Sequence, residues 1–193
     1  MDFDKIAFIY GLFFNFQRRN FSKALKKINS EFSFDGIHEI IDIGCGTGAL
    51  GSVLTEMGFH VTGIDPSKKM IAVAQKKNRE KNIEFLKEDV LKGIPFKDNS
   101  FDLAIASYVA HGLTEKERSI MYQEMKRLSR SYIMIYDYNQ TRSLLTDVVE
   151  KAEGGDYFTF IENVEDELLA HFSELKVIQT DKKAACYIAK IKN

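Results

Sequence analysis

Several residues that mark common protein classes are rare or missing in this sequence. The 193 residues include no tryptophan, two prolines and two cysteines, and Cys45 and Cys186 lie too far apart to form a metal-ligand motif. We therefore expect two buried thiols in a reducing compartment and no metal site. The few prolines and the mixed composition argue against a disordered or low-complexity chain.

The chain also lacks an excess of either acidic or basic residues. Acidic residues number 28 and basic residues 27, for a formal net charge of −1. Nonspecific nucleic-acid binding needs a clustered basic excess, so nucleic acid is not an expected partner. No apolar run approaches the ~20 residues that cross a bilayer, and residues 6–16 have neither the basic start nor the cleavage site of a signal peptide. These absences predict a cytoplasmic protein without a membrane span.

Short apolar runs alternate with longer helical patterns along most of the chain. The runs cover residues 38–43, 59–64, 83–86, 101–107 and 132–136, and helix-like segments lie between them at about 48–57, 67–81 and 115–129. Runs that are rich in Ile, Val and Phe and bounded by Gly, Asp or Asn are typical of buried parallel strands. The alternation predicts an α/β fold, in which helices cover both faces of a mostly parallel sheet.

The two ends of the chain depart from this alternation. Residues 3–33 fit one or two amphipathic helices that are rich in phenylalanine. Residues 175–180 and 184–191 fit two strands whose connection is too short for a parallel crossover, so these strands must be antiparallel. The length suits one domain. We expect a single domain, with a helical N-terminal cover (1–35) ahead of a seven-stranded core (36–193).

The stretch with the clearest chemistry is IIDIGCGTG at residues 40–48, where a strand ends, glycines alternate and a helix begins. Glycines allow a sharp turn and the close approach of a ligand, and the helix N-terminus offers N–H groups. Asp42 lies in this strand, and Asp65 and Asp89 end the next two. Each acid alone is explained by a helix N-cap or a solvated loop. Together they converge on the crevice where open α/β sheets bind nucleotide-type ligands.

The turn is compatible with two cofactors. Residues 46–51 also satisfy GxGxxG, so a nicotinamide dinucleotide is an alternative. A pyrophosphate prefers uncompensated N–H groups, and Asp42 stands two residues before the first glycine of the turn, where it would repel a diphosphate. The same acid suits a ligand that carries an ammonium group and a sulfonium. Charge therefore favours S-adenosylmethionine over NAD.

At these residues the chain resembles the class I S-adenosylmethionine-dependent methyltransferases. The matching segments are IIDIGCGTG (40–48), GIDPSKKM (63–70), EFLKEDV (84–90), IPFKDNSFDLAIAS (94–107) and the terminal strand pair. The segment before the fourth strand is similar to the small-molecule branch that includes ubiquinone and menaquinone biosynthesis methyltransferases. The resemblance implies a Rossmann-like sheet of order 3-2-1-4-5-7-6, S-adenosylmethionine as the cofactor, and direct in-line methyl transfer to a small molecule.

The resemblance also implies roles at the cofactor. Asp42 would hold its amino group, Asp65 its ribose hydroxyls and Asp89 the amino group of its adenine. The glycine turn would face the methionine part, and the N-terminal cover would supply a tyrosine over the cofactor and an arginine for its carboxylate. The implied contacts are Tyr10, Arg18 or Arg19, Asp42, Gly44, Cys45, Gly46, Gly48, Asp65, Pro66, Met70, Asp89, Val90 and Ser107.

The reaction needs little from the protein beyond positioning, and a general base is required only if the acceptor must lose a proton. Tyr108 and His111, just after the fourth strand, are the candidate bases, although a histidine here is also explained as a loop residue that shapes the pocket. Ser107 would border the methyl-transfer site. Residues 136–139 (YDYN) are expected to line the acceptor pocket, and residues 139–162 and the N-terminal helices to cover it.

Three alternatives to a small-molecule methyltransferase stay open at this point. A cofactor-binding fold without activity would act as a regulatory or scaffolding protein. An NAD-dependent oxidoreductase is disfavoured by Asp42, and an RNA methyltransferase by the near-neutral charge. The sequence identifies neither the acceptor nor the atom that is methylated, and it leaves open whether the protein forms a homodimer.

Overall fold

A computed structural model describes residues 11–141 and 156–191 of the chain. Its helices are α1 (Phe14–Asn29), α2 (Ala49–Glu56), α3 (Lys68–Lys77), α4 (Glu115–Leu128) and α5 (Tyr157–His171). Its strands are β1 (Glu39–Ile43), β2 (His60–Ile64), β3 (Ile83–Leu86), β4 (Phe101–Ser107), β5 (Ser129–Tyr138), β6 (Glu174–Gln179) and β7 (Ala184–Lys190). Short 3-10 turns follow β3 and β4, at Val90–Lys92 and Ala110–Gly112.

The described strands form one seven-stranded sheet in the order β3-β2-β1-β4-β5-β7-β6. Strands β1 to β5 pair in parallel, whereas β7 is antiparallel to both β5 and β6. The short connection at 180–183 permits only this reversal, because a parallel crossover needs a dozen or more residues. The predicted α/β fold, its strand order and its antiparallel last strand are confirmed.

The central strands are buried on both faces of the sheet. In β1, Ile41 and Ile43 share a buried cluster with residues of α4 and α5, while Ile40 belongs to a second cluster with residues of α1 and α2. In β4, Ala104 faces the first cluster and Leu103 the second. Helices on both faces explain why these strands are continuous apolar runs in the sequence.

Helix α5 is missing from the sequence-based prediction. Its buried side chains recur at helical spacing, and they are Tyr157, Phe160, Ile161, Val164 and Leu168. From Tyr157 onward, the segment 139–162 that is expected to cover the acceptor site packs in the core, and the ring of Tyr157 lies 5.2 Å from that of Tyr138. Residues 142–155 lie outside the described residues.

The N-terminal cover is helical where it is described, as the sequence predicts. Helix α1 buries Ala24, Leu25 and Ile28 in the cluster that also holds residues of α2. Phe14, at the start of α1, is also buried, and its ring lies 5.7 Å from the ammonium group of Lys77 in α3. The described part of the cover is therefore packed onto the core as part of the same unit.

Helix α3 is shorter than the sequence predicts. It ends at Lys77 instead of residue 81, and Asn78 follows as its C-cap. Both the backbone N–H and the side-chain amide of Asn78 donate to the carbonyl oxygen of Ala74, at 3.0 and 2.9 Å. Strand β5 also begins earlier than predicted, at Ser129, where its Oγ donates to the carbonyl oxygens of Asp102 (2.9 Å) and Tyr132 (2.7 Å).

A buried arginine joins α4 to α5. Arg118 has no exposed surface, and its guanidinium donates to both carboxylate oxygens of Glu167, at 2.7 and 2.6 Å. It also donates to the carbonyl oxygen of Leu113, at 2.5 Å, and to the carboxylate of Asp156, at 3.1 Å. One side chain thus holds together α4, the loop before it, and both the beginning and the later turns of α5.

We expect Arg118→Ala to lower the free energy of unfolding by about 3 kcal/mol or more, since it leaves the carboxylate of Glu167 without its buried partner. Urea unfolding followed by circular dichroism measures this change. Lys116→Ala, an exposed change on the same helix, should shift the free energy by less than about 0.5 kcal/mol. Equal stability of the two variants would contradict the structural role of Arg118.

Candidate active site

The sheet reverses its strand order between β1 and β4. Strands β2 and β3 follow on one side of β1, and β4 and β5 on the other. Open α/β sheets bind their ligands in the crevice outside the carboxyl ends of the strands at such a point. Because β1 ends at Ile43 and β4 at Ser107, the glycine turn and the loop with the candidate bases lie at this same edge.

The glycine turn after β1 depends on backbone conformations that only glycine adopts easily. Gly44, Gly46 and Gly48 have φ values of 68°, 52° and 73°. A Cβ atom on Gly44 would lie 2.5 Å from Cγ2 of Val109, which follows β4. A Cβ atom on Gly48 would lie 2.6 Å from the ring of Phe85 in β3. The turn therefore brings its backbone unusually close to the neighbouring strand ends.

Asp65 ties the end of β2 to the glycine turn. One of its carboxylate oxygens accepts the N–H of Gly46, at 3.0 Å, and the other accepts the N–H of Ser67, at 2.8 Å. The residue is 8% exposed, so these bonds hold a nearly buried charge. The carboxylate therefore fixes the glycine turn to the start of the segment that leads into α3.

Asp42 is a buried acid without a hydrogen-bonding partner in the described part of the chain. The residue has no exposed surface, and neither carboxyl oxygen forms a hydrogen bond. Burial raises its pKa to about 8, the negative charge of Asp65 adds to the rise, and the nearby N–H of Gly51 opposes it. Such a group favours an incoming cation or hydrogen-bond donor, because an unsatisfied buried carboxylate is costly.

The side chain of Cys45 is buried and packs against other side chains of the fold. Its thiol packs in a small buried cluster with Ile71, Ala74 and Phe85, and burial raises its pKa well above the ordinary value. Its backbone N–H donates to the carbonyl oxygen of Ile64, at 2.9 Å. Cys45 therefore supports the turn from beneath.

The residues expected around the adenine lie after β2 and β3. The carboxylate of Asp89 accepts a hydrogen bond from the backbone N–H of Leu91, at 3.1 Å, and it lies 2.9 Å from the ammonium group of Lys92. Asp89 here caps the short 3-10 turn Val90–Lys92. Capping of a helical turn is the explanation that the sequence analysis gives for a single acid at a strand end. Val90 and Met70 are buried, and Pro66 is exposed.

The N-terminal cover reaches the glycine turn through a residue that the sequence analysis missed. The side-chain oxygen of Gln17 accepts a hydrogen bond from the hydroxyl of Thr47, at 2.9 Å. Arg18 instead pairs with Glu56, at 2.5 Å, and Arg19 is exposed on α1. Tyr10 lies outside the described residues. No motif marks Gln17, because its role follows from the rotation of α1 on the core.

His111 forms a close pair with Asp137 across the ends of β4 and β5. Its ring Nδ1 lies 2.7 Å from one oxygen of the fully buried carboxylate, and its backbone N–H donates to the other oxygen, at 3.3 Å. That carboxylate also accepts the N–H of Tyr138, at 2.8 Å. The sequence analysis names both residues but misses their pairing, which follows from the register of β4 against β5.

Tyr108 contacts both the ring of His111 and the tyrosines of β5. Its φ of 54° is unusual for a residue with a side chain, and its ring is 40% exposed. The ring lies edge-on to those of Tyr136, at 5.2 Å, and Tyr138, at 5.3 Å. Desolvation, and secondarily Tyr136, raise the pKa of Tyr108, so its hydroxyl keeps its proton and forms a wall of the site.

Asn139 has a structural role and does not line the pocket as expected. Its amide nitrogen donates to the side-chain oxygen of Gln179, at 2.7 Å, and to the carbonyl oxygen of Lys182, at 3.2 Å. Its own side-chain oxygen accepts the N–H of Thr141, at 2.8 Å. The amide is thus used in joining the end of β5 to the β6–β7 connection.

Two larger features are not found in the part of the chain that the structure describes. Among residues 11–141 and 156–191, no group of three or more His, Cys, Asp or Glu side chains is arranged to hold a metal ion. No described helix is both long and apolar enough to cross a membrane.

Comparison with known proteins adds to this geometry. A family model described as a methyltransferase domain matches residues 40–131. An uncharacterized methyltransferase of Bacillus licheniformis is 30% identical over 150 residues, which cover 75% of this chain and 68% of that protein. The 18S rRNA (guanine-N7)-methyltransferase of Saccharomyces cerevisiae is 38% identical over 99 residues, but these cover 50% of this chain and only 34% of the yeast protein.

The fold comparison agrees with these matches. The crystal structure of magnesium protoporphyrin IX methyltransferase from Synechocystis, with S-adenosylhomocysteine bound, superposes with a TM-score of 0.67 at 21% identity. The superposition covers 91% of this chain and 83% of that one. The family model, the Bacillus relative and the shared sheet together show that the chain belongs to the class I S-adenosylmethionine-dependent methyltransferases.

Proposed function

We propose that this enzyme methylates an oxygen or nitrogen atom of a small molecule, and that His111 removes the proton which the acceptor loses. The observation that supports this proposal most strongly is the pair of His111 and Asp137, at 2.7 Å, beside the ligand crevice. A buried carboxylate that fixes a histidine ring is the arrangement by which proteins prepare an imidazole to accept a proton.

The pair determines which ring nitrogen acts. When Nδ1–H of His111 donates to Asp137, the lone pair of the neutral imidazole lies on Nε2. A proton from an acceptor O–H or N–H group would pass to Nε2, and the electron pair of that bond would stay on the acceptor atom as the nucleophile. The charge of the buried Asp137 would stabilise the imidazolium that results.

The cofactor side of the crevice fits S-adenosylmethionine. This cofactor supplies, when bound, a methyl group on a positively charged sulfur that needs no further activation. Asp42 would hold its ammonium group, since the buried carboxyl has no other donor in the described chain. Asp65, which follows β2 beside the glycine turn, would accept hydrogen bonds from the ribose hydroxyls.

The acceptor side is lined by aromatic rings. The ring of His111, whose side chain is 13% exposed, lies edge-on to those of Tyr138, at 4.9 Å, and Tyr108, at 6.4 Å. The ring of Tyr108 in turn contacts that of Tyr136. These rings offer apolar surface and hydroxyl groups, which suits a small organic acceptor, and they limit access of water to the base. In-line transfer depends mainly on such positioning. The near-neutral charge of the chain also favours a small molecule over RNA.

We expect cofactor binding to release a proton from Asp42. With a pKa of about 8, the carboxyl of the free enzyme is mostly protonated at pH 7, and an ammonium group beside it would lower that pKa and ionise it. The affinity for S-adenosylmethionine should therefore rise as the pH is raised toward 8. Isothermal titration calorimetry in buffers of different ionisation enthalpy measures the released proton.

Asp42→Asn should abolish this proton release and weaken cofactor binding at least about tenfold. Asp98→Asn, an exposed change at the opposite edge of the sheet, serves as the control and should leave both unchanged. A wild-type binding heat that is independent of the buffer would contradict the assignment of the ammonium group to Asp42.

We expect His111→Gln to lower kcat for methyl transfer about 100-fold or more, and Asp137→Asn to lower it in the same direction, because both changes remove the prepared base. The fall in rate on the acid side of the pH profile, where the imidazole is protonated, should disappear in His111→Gln. A library of small hydroxylated and amino compounds is first screened for an acceptor that is methylated. The rate on that acceptor is then measured as the release of S-adenosylhomocysteine.

His60→Gln is a matched control, because Nδ1 of His60 also lies 2.8 Å from a carboxylate, that of Glu39, but at the opposite edge of the sheet. This variant should keep the wild-type rate and pH profile, and the His111, Asp137 and His60 variants should all bind the cofactor like the wild type. An unchanged rate in His111→Gln would refute the base. No turnover on any compound of the library would instead favour a protein that binds the cofactor without activity.

A further inference from the structure

The solvent face of α1 combines exposed apolar and basic side chains. Just before and within its first turn, Leu12, Phe13 and Phe16 are 68%, 56% and 62% exposed. Further along the helix, the exposed side chains include Arg19, Lys23 and Lys26. Residues 16, 19, 23 and 26 are spaced by three and four positions, so they form one stripe along the helix. We call these six residues the α1 stripe.

The orientation of the stripe is fixed by the opposite face of the helix. Ala24, Leu25 and Ile28 are buried against the core, and Arg18 pairs with Glu56 of α2 at 2.5 Å. The helix therefore cannot turn to hide its apolar side chains without losing this packing. The exposure of Phe16 is a property of the folded chain.

The charge of α1 has one sign. The sequence of α1 includes five basic residues and no acidic one, although the whole chain has a net charge of −1. The acids that reach the helix, Glu31 and Glu56, pair with Lys27 and Arg18. No acidic side chain of the described residues pairs with those of Arg19, Lys23 or Lys26. These three cations are therefore available to an anionic partner.

We propose that the α1 stripe binds the surface of an anionic phospholipid membrane. Leu12, Phe13 and Phe16 would enter the boundary between headgroups and acyl chains, and the basic side chains behind them would face the lipid phosphates. A helix with exposed aromatic side chains and a cationic face binds in the plane of the membrane surface in this way. Attraction of the cations adds to the burial of the apolar groups.

The charge and the apolar side chains together favour lipid over two other partners. A second copy of the chain would bring two stripes of the same charge together, and like charges oppose association. RNA would neutralise the cations but leave the side chain of Leu12 in water. A lipid surface offers both a continuous apolar layer, which also accommodates Leu12, and a dense array of phosphates to the same side of one helix.

Vesicle co-sedimentation with the full chain tests this proposal. We expect binding to vesicles of equal parts phosphatidylcholine and phosphatidylserine, weaker binding at high salt, and little binding to phosphatidylcholine alone. Two double variants separate the contributions, Phe13→Ser with Phe16→Ser and Lys23→Gln with Lys26→Gln. Each should lower the partition coefficient at least about tenfold, because each removes one of the two attractions.

Matched changes elsewhere control for the loss of exposed groups. Leu169→Ser removes a side chain that is 50% exposed on α5, and Lys116→Gln removes an exposed cation on α4. Both should bind vesicles like the wild type. All variants should keep the wild-type thermal midpoint and affinity for S-adenosylhomocysteine, so that a failure of the lipid proposal is distinct from a failure of the cofactor site.

Several outcomes would overturn the proposal. Equal binding to both kinds of vesicle, or unchanged binding by either double variant, would exclude the stripe as an anionic-lipid surface. Binding of single-stranded RNA that loses affinity in the lysine variant, together with no vesicle binding, would assign the face to nucleic acid. A dimer in sedimentation velocity that the phenylalanine variant dissociates would assign it to self-association.

Discussion

The structure is organised around an acid that its own fold leaves unsatisfied. Asp42 lies in the central strand, between Ile41 and Ile43, fully buried and without a hydrogen bond to either carboxyl oxygen from the described residues. Burying such a group is unfavourable by itself, and the apolar contacts of β1 on both faces of the sheet must offset that cost. If the proposed function holds, a cation at the crevice would remove the penalty, and one position would couple core packing to cofactor binding. The glycine turn beside it matters because it lets a ligand approach closely.

Much of the fold was predictable because it follows from local patterns. Apolar runs and a connection too short for a crossover were enough to predict a mostly parallel sheet and its reversed last strand, whereas the strand order was implied by the resemblance to the methyltransferases. Helix α5 was missed although Tyr157, Phe160 and Val164 show helical spacing. For part of this region the sequence analysis expects only a segment that covers the acceptor site. Tertiary contacts at element ends, such as the bond from the Asn78 side chain to the carbonyl oxygen of Gly48, could not be read from sequence spacing.

The candidate site also has one part that follows from sequence patterns and one part that does not. The convergence of Asp42 and Asp65 follows from the rule that parallel strands end at one edge, and the structure places both beside the glycine turn. The partners of His111 and Gln17 depend instead on strand register and helix rotation, which are set by packing of the whole chain. The positive φ of Tyr108 has no sequence signal either, since it is imposed on the residue by its surroundings.

The bonds of Arg118 have a consequence that reaches beyond stability. Its guanidinium donates to the carboxylate of Asp156, just before α5, and to the carbonyl oxygen of Leu113, two residues after His111. A change at Arg118 would therefore act on the start of α5 and on the loop that carries His111 at the same time. The packing of two core helices and the placement of this loop are thus coupled through one side chain.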